Sequence, residues 1–339
     1  MKSYLFIGID ISKVTLDVCV LLVSGTMEIH YHQFLNNSKG FIHLLKWLKE
    51  KGEGIAVEDW RVCMENTGIY SLALNCFLHE KNIWQSMENA LQIKRSMGIV
   101  RSKTDKADCK TIALYAYRFY DKLKPYFLPG ETLLRLRALF SQRERLVSIH
   151  SQLLVANQSM KGYARELVKD IQNQNETLIR NLAEQIKTID KSLKDCLQQD
   201  EELQRKAKLI QTVPGIGQQT ASYLLIVSRG MQSFATAREF ACYSGCAPFA
   251  HTSGTSIRGK TKVHFIANRK MKMLLHMAAM NAITFNEELK VYYQRKVAEG
   301  KNPMSVLNAA RFKLICRIFS LIKRKEKYQK SIEKCSLKI

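Results

Sequence analysis

Leu5-Phe6-Ile7-Gly8-Ile9-Asp10-Ile11-Ser12-Lys13 opens the first regular element of the chain. Four of its first five residues are apolar, as in a short strand buried on both faces, and it delivers one carboxylate at its C-terminal end. Loops at that end of a strand expose side chains to ligand. Asp10 reads there in two ways: as a turn cap, since Asp favours strand ends for local hydrogen bonding, or as a metal ligand.

The residues that follow supply the context. Residues 15–23 read as a second strand, Ser24-Gly25 as a turn, and residues 28–34 as a third strand. Ser38-Lys39-Gly40 opens an amphipathic helix with Phe41, Leu44, Leu45 and Leu48 on its apolar face, and Gly52 ends it. A strand over 61–64 runs into Glu65-Asn66-Thr67-Gly68-Ile69-Tyr70, with a helix expected at once and Thr67 as its cap. Residues 83–87 read as a fifth strand. Three antiparallel strands, then helix, strand, helix, strand, helix, is the order expected of a ribonuclease-H-like α/β fold, which sets the strands of Asp10 and Glu65 side by side.

Further on, Thr104 is a suitable N-cap for a helix over 111–120 and the residues before it. Asp105 and Asp108 stand three apart in its first turn and leave from one face, with Cβ atoms about 5–6 Å apart. Acidic residues in a first turn also suit the helix dipole without any further role. Together, Asp10, Glu65, Asp105 and Asp108 form the oxygen-rich donor set that Mg²⁺ or Mn²⁺ requires. A pair of such ions about 3.5–4 Å apart holds both the attacking and leaving oxygens of a phosphodiester.

The chain has 339 residues, 46% hydrophobic and 24% charged, which predicts a globular protein of two or three domains. Its formal charge of +23 predicts a polyanionic partner, with nucleic acid first. The excess is uneven: after residue 257 there are 20 Lys and Arg against 5 Asp and Glu, a net +15 that leaves +8 for the rest. Nine cysteines stand singly without a C-x-x-C pair, which argues against a disulfide framework or a zinc ribbon and for a reducing compartment. Cys242 and Cys246 lack a second Cys/His pair and read as buried small apolar side chains. No leader-like segment stands at the start, and the longest apolar run, 273–285, is too short to cross a bilayer. The expectation is a cytoplasmic protein with no membrane partner.

From Pro129-Gly130 only helix is expected for about eighty residues, with Leu139, Leu146, Ile149, Leu153, Ala156, Met160, Tyr163 and Leu167 on one stripe and Leu182, Ile186, Ile189, Leu193 and Cys196 on another. A turn is expected over 172–176. Narrow stripes fit an antiparallel or intersubunit coiled coil and equally a helical hairpin packed on its own domain. Thr212-Val213-Pro214-Gly215-Ile216-Gly217 reads as a loop opening a helix over 218–227, where backbone N–H groups beside Gly215 and Gly217 can grip a phosphate; a tight structural turn is the plainer reading. After a helix over 235–243, residues 244–256 read as a loop rich in glycine and hydroxyls, and Arg258-Gly259-Lys260-Thr261-Lys262 follows. Ser253 or Ser256 beside those cations could attack a phosphodiester, although most Ser/Thr/Gly loops are inert. Arg269 and Lys270 add to the basic face.

Gly-Ile-Asp-Ile-Ser-Lys at 8–13, Met-Glu-Asn-Thr-Gly-Ile-Tyr at 64–70 and Lys-Thr-Asp-Lys-Ala-Asp at 103–108 resemble, in order, the three blocks of the DEDD transposases of the IS-one-ten type, relatives of Piv-type DNA invertases. The resemblance implies a RuvC-like domain over 1–128 whose Asp10, Glu65, Asp105 and Asp108 bind divalent metal. It implies a coiled-coil or helical linker over 129–210 that supports homo-oligomer assembly. A mainly helical serine transposase domain with a helix-hairpin-helix-like element would follow over 211–322, and a basic tail over 323–339. Gly245-Cys246-Ala247-Pro248, with Ser253-Gly254 five residues beyond the proline, matches the family's second-domain element and implies that Ser253 is the nucleophile. Where the family has Gly-Asn and a helical Arg, this chain has Ala267-Asn268 and Lys272. The implied function is a DNA transposase/recombinase that forms a phosphoserine–DNA intermediate, with a structured noncoding RNA choosing the DNA partners.

A site-specific invertase and a noncatalytic nucleic-acid-binding protein are the alternatives. Actin-like and sugar-kinase ATPases also begin Gly-Ile-Asp, but the chain has no second Gly-rich phosphate loop and such a fold leaves the basic C-terminal region unexplained.

Overall fold

The apolar run at the start of the chain forms β1 (Leu5–Ile11), the centre of a five-stranded sheet ordered β3-β2-β1-β4-β5. The computed structural model describes residues 4–24, 26–65, 68, 70–98, 104–160, 165–247, 249–253, 257–263 and 266–328. β2 (Thr15–Ser24) pairs antiparallel with β1, and β3 (Thr26–Leu35) antiparallel with β2. After α1 (Ser38–Lys51), β4 (Trp60–Glu65) returns parallel to β1. It is followed by α2 (Leu72–Glu80) and β5 (Gln85–Glu88), which is parallel to β4. Helices α3 (Ala90–Ser96) and α4 (Asp105–Arg118) complete this unit, which spans Met1–Leu128.

The caps explain several boundaries. Asn37 accepts from the Gly40 N–H to start α1, and Gly52 ends it. Thr104 accepts from the Ala107 N–H to start α4. The helix expected to begin at Thr67 begins instead at Leu72 with Ser71 in the cap position. Thr67 lies outside the described residues, and Gly68 sits at φ +76°, which is not a helical conformation.

The sheet is covered on both faces. Leu5, Ile7 and Ile9 of β1 enter a core with Phe41, Leu44 and Leu48 of α1 and Leu74 and Leu78 of α2. Phe6 enters the opposite core with Cys19 of β2, Cys63 of β4, Ile93 of α3 and Cys109, Ile112 and Ala113 of α4. This strict alternation decides which residues share a face with α4.

The second unit, Pro129–Ile339, is mainly helical. α5 (Glu131–Ser159) and α6 (Arg165–Gln198) pack antiparallel, with Arg143 Nε 2.6 Å from Asp190 Oδ1 and Arg135 bonded to Gln199. The turn expected over 172–176 is helix: those residues are polar but include neither Gly nor Pro, so α6 runs through them. The near ends of the pair, through Leu136, Phe140, Leu193 and Leu197, join a core with α7 (Glu201–Gln211), α8 (Gln218–Val227), α9 (Ala237–Tyr243), α10 (Arg269–Phe285), α11 (Glu287–Ala298) and α12 (Pro303–Arg324). Their far ends leave Ile149, Leu154, Val155, Ile171 and Leu178 exposed.

The loop expected over 244–256 contains a strand, β6 (Phe249–Ser253), paired antiparallel with β7 (Ile257–Lys262). Beyond α12 the basic segment does not simply leave the surface. The Tyr328 N–H donates to Thr212 Oγ1 at 3.0 Å and its ring lies beside the Arg317 guanidinium. Among the described residues no helix is long and apolar enough to cross a membrane.

Candidate active site

Period-two alternation places Phe6, Gly8 and Asp10 of β1, and Cys63 and Glu65 of β4, on the face covered by α4. Gly8 brings that helix close. A Cβ built on it would stand 2.3 Å from both the Ala113 nitrogen and the Cys109 carbonyl oxygen, so α4 lies directly on the strand backbone. The first turn of α4, with Asp105 and Asp108, is thereby brought beside the ends of β1 and β4.

These acids lie near enough to act on one another. Burial, then the charges of Asp108 and Asp105, push the Asp10 carboxyl above the usual carboxylate range. Burial, then Asp10, raises Glu65, while the cation of Lys94 on α3 acts against them. Asp10, Glu65 and Asp108 are half-buried and Asp105 is exposed. An all-oxygen, mutually repelling donor set suits a hard divalent cation. Among the described residues, however, no three His, Cys, Asp or Glu side chains already converge tightly enough to enclose one.

Sequence reasoning missed three groups here. Asp17 stands opposite Asp10 on β2 and is 2% exposed; it accepts from Tyr31 Oη at 2.7 Å and from Gln33 Nε2, which satisfies its buried charge. Its signal was a carboxylate inside an apolar strand. Glu88 ends β5 directly opposite Glu65 and accepts from Ser86 Oγ at 2.6 Å. It is a third strand-end acid, legible by the rule that picked out Asp10 and Glu65. Lys94 is exposed on a short helix fixed by buried Ile93 and by a Gln92–Tyr115 hydrogen bond.

In the second unit Ser253 is the last residue of β6, in register with Ile257; its backbone alone is described, and Ser256 lies outside the described residues. Arg258, Lys260 and Lys262 lie on β7, of which the backbone is likewise described. Gly215, at φ +80°, faces α10 so closely that a Cβ would meet the Ala278 carbonyl oxygen, which explains the glycine by packing alone. Gly217 has open space around it and heads α8 without a side-chain cap, leaving N–H groups of the first turn unpaired. A cavity of about 740 Å³ lies between this loop and Met277, Asn281 and Thr284 of α10. Arg269 is exposed at the start of α10, whereas Lys270 forms an ion pair with Glu144 of α5.

α10 also carries His276, whose Nδ1 lies 2.8 Å from a guanidinium nitrogen of Arg311 on α12. Arginine only donates, so His276 accepts and is neutral. Burial, then Arg311, lowers its pKa from the ordinary 6.5. A folded-state pKa below the unfolded one gives stability that is present above about pH 6.5 and lost as pH falls through the folded value. The thermal midpoint is therefore expected to drop between pH 7 and 5, with a smaller drop in His276→Gln, whose amide oxygen can still accept. An equal drop in both proteins would rule out His276 as the source.

A family model described as Transposase matches residues 7–160, and one described as Transposase IS116/IS110/IS902 family matches residues 207–294. The chain belongs to the IS110-type transposase family. It is similar to the pilin gene-inverting protein of Moraxella lacunata, at 29% identity over 97% of this chain and 99% of that protein. The pilin gene-inverting protein of Moraxella bovis matches at 28% over the same shares. An insertion element IS110 protein of 43.6 kDa from Streptomyces coelicolor is 30% identical over 34% of this chain and 28% of its own length. For this IS110-type transposase, the first match takes in all four carboxylates and the second takes in Gly215, Gly217, Ser253 and the basic residues to Lys270.

Proposed function

We propose that this transposase cuts and rejoins DNA strands with two sets of groups. Residues 1–128 act as a RuvC-like domain of the ribonuclease-H-like class, in which Asp10, Glu65, Asp105 and Asp108 hold Mg²⁺ or Mn²⁺. The observation that carries this reading is that α4, seated on Gly8, sets its first-turn acids beside the ends of β1 and β4: burial, then Asp108 and Asp105, raises Asp10, and burial, then Asp10, raises Glu65. Such repulsion is relieved when a cation binds. The strand order and directions of the sheet support the fold. A bound cation would supply charge neutralisation and orientation of phosphate oxygens.

Residues 211–322 supply the nucleophile. Ser253 Oγ attacks the scissile phosphorus, its proton leaves to solvent or a DNA oxygen, and one DNA ester oxygen departs, so one phosphodiester bond is exchanged for another and strand exchange needs no external energy. Arg258, Lys260, Lys262, Arg269 and Lys270 hold phosphates, as do the N–H groups by Gly215 and Gly217, with the net +15 after residue 257 in support. The same charge suits a structured RNA from the chain's own element as guide. The exposed apolar residues at the far end of the α5–α6 pair support a coiled-coil role for 129–210 in joining copies of the chain.

The test is covalent trapping: the full chain with labelled element-end DNA and its RNA, followed by denaturing gel. A DNA adduct in the parent and none in Ser253→Ala is expected. Retained DNA with no adduct in the parent would sink the serine reading and leave a noncatalytic binding protein. Site-specific inversion is the second reading, favoured by the near full-length likeness to two pilin gene-inverting proteins. A substrate with two recombination sites in inverted orientation separates it from transposition.

A further inference from the structure

Arg311 is the buried charge that the site above does not use. It is 5% exposed on α12, and its carried charge has no acidic partner among the described residues. One guanidinium nitrogen meets His276 Nδ1 at 2.8 Å, the other Asn308 Oδ1 at 3.3 Å, and the buried Nε has no partner. Burial lowers the guanidinium below its ordinary range, yet arginine does not give up its proton in a protein. A cation kept in that state costs stability, and an apolar side chain of similar volume would be easier to bury. Something other than stability accounts for it.

Its neighbours indicate what. Because Arg311 can only donate, Asn308 must turn its carbonyl oxygen toward it, and that aims the Asn308 amide Nδ2 at the Cys246 carbonyl oxygen, 2.9 Å away. Cys246 follows Gly245, which sits at φ +67° where an added Cβ would meet the Ala267, Val263 and Lys272 side chains, and β6 begins three residues beyond Cys246. On the far side of the hairpin, Asn268 donates its backbone N–H to the Tyr243 carbonyl at 2.7 Å and its Nδ2 to Tyr243 Oη at 2.8 Å. Contacts at Tyr243, Gly245 and Cys246 on one side and at Val263, Ala267 and Asn268 on the other thus flank the β6–β7 hairpin, and the Asn308 amide that bonds the Cys246 carbonyl is oriented by Arg311. Without the guanidinium this amide can turn over and set oxygen against oxygen.

We propose that Arg311, acting through Asn308, is a positioning residue for Ser253: it fixes the backbone entering β6, and its unpaired buried charge is retained for that purpose. This rests on the reading of Ser253 as the nucleophile. Arg311 also lies beyond residue 294, where the second family match ends.

The test uses the full chain, a labelled duplex bearing the element's own end, and RNA transcribed from its flank. Three quantities are measured for the parent, Arg311→Met, Asn308→Ala and the double variant: thermal midpoint, DNA retention and the rate of Ser253-dependent adduct formation. Arg311→Met is expected to keep or raise the midpoint, to retain DNA within twofold, and to form adduct at least tenfold more slowly. Asn308→Ala should lose rate to a similar degree, and the double variant no further, because the two act in series. A side chain with only a structural role would instead lower the midpoint together with the rate. A parental adduct rate in Arg311→Met overturns the proposal, as do independent, multiplying losses. If Arg311→Met does not fold, an unchanged adduct rate in Asn308→Ala overturns it alone. Absence of adduct in the parent removes the Ser253 reading and this proposal with it, whereas a parental adduct with unaffected variants removes this proposal only.

Discussion

Alanine at Gly8 is expected to cost the first unit about 3 kcal/mol or more, a large share of a marginal total. The added methyl would stand 2.3 Å from the Ala113 nitrogen and the Cys109 carbonyl oxygen and 2.8 Å from the Ala113 Cα. All three are backbone atoms of α4, so no rotamer change relieves them. β1 cannot retreat either, because Gly8 is registered to Cys19 on one side and Cys63 on the other. The helix must lift, and with it go the buried contacts of Cys109, Ile112, Ala113 and Ala116. Asp105 and Asp108 move with the helix away from Asp10, and a displacement of about 1 Å at a reacting centre can cost roughly 10²-fold in rate. Urea unfolding of Gly8→Ala against the parent is the check, with Gly130→Ala as control because its Cβ would meet nothing within 4 Å. Equal midpoints for Gly8→Ala and the parent would mean that α4 does not rest on β1.

The same residue shows what the sequence made legible and what it did not. The apolar runs, the strand-end acids and the Thr104 cap are local signals, and they gave the strands, Asp10, Glu65 and the start of α4. Gly8 reads from the sequence only as part of an apolar strand, because its role is contact with a helix a hundred residues later. Residues 244–256 read as loop because of Pro248, the glycines and the clustered hydroxyls, whereas β6 and β7 pair through their backbones, which needs no apolar alternation. The polar stretch over 172–176 suggests a turn, but without Gly or Pro it does not break α6. Nothing in the sequence singles out Arg311, because burial of a single cation is decided by tertiary packing rather than by composition. The carboxylates were legible as ligand types, but their common face became clear only from the alternation that sends Ile7 and Ile9 one way and Gly8 and Asp10 the other.

Asp10→Asn is expected to lower strand cleavage by on the order of 10³-fold while making the protein more stable at neutral pH. The two effects have one cause. Asp10 is raised first by burial and then by Asp108 and Asp105, and Glu65 by burial and then by Asp10. A carboxyl whose folded pKa lies above its unfolded value stabilises the fold fully only below the unfolded pKa, and that contribution is lost as pH rises through the folded pKa. At pH 7 the first unit therefore carries the repulsion uncompensated, and the amide removes it. The gain in midpoint should shrink as pH falls through the carboxylate range, where the parent protonates too. Divalent cation offers the complementary test: at tenfold over its dissociation constant, a cation that binds only the folded state adds about 1.4 kcal/mol, raising the midpoint of the parent. In Asp10→Asn that rise should be smaller, since a ligand has been lost and the repulsion it would relieve is already gone. If Asp10→Asn is no more stable than the parent at pH 7, and Mg²⁺ or Mn²⁺ shifts both midpoints equally, then the four acids are a surface feature and the metal reading fails. A gain in stability with loss of cleavage would instead mark a strained anionic site kept for its chemistry, because an acid serving only as a turn cap would lower stability when changed and leave the cation response intact.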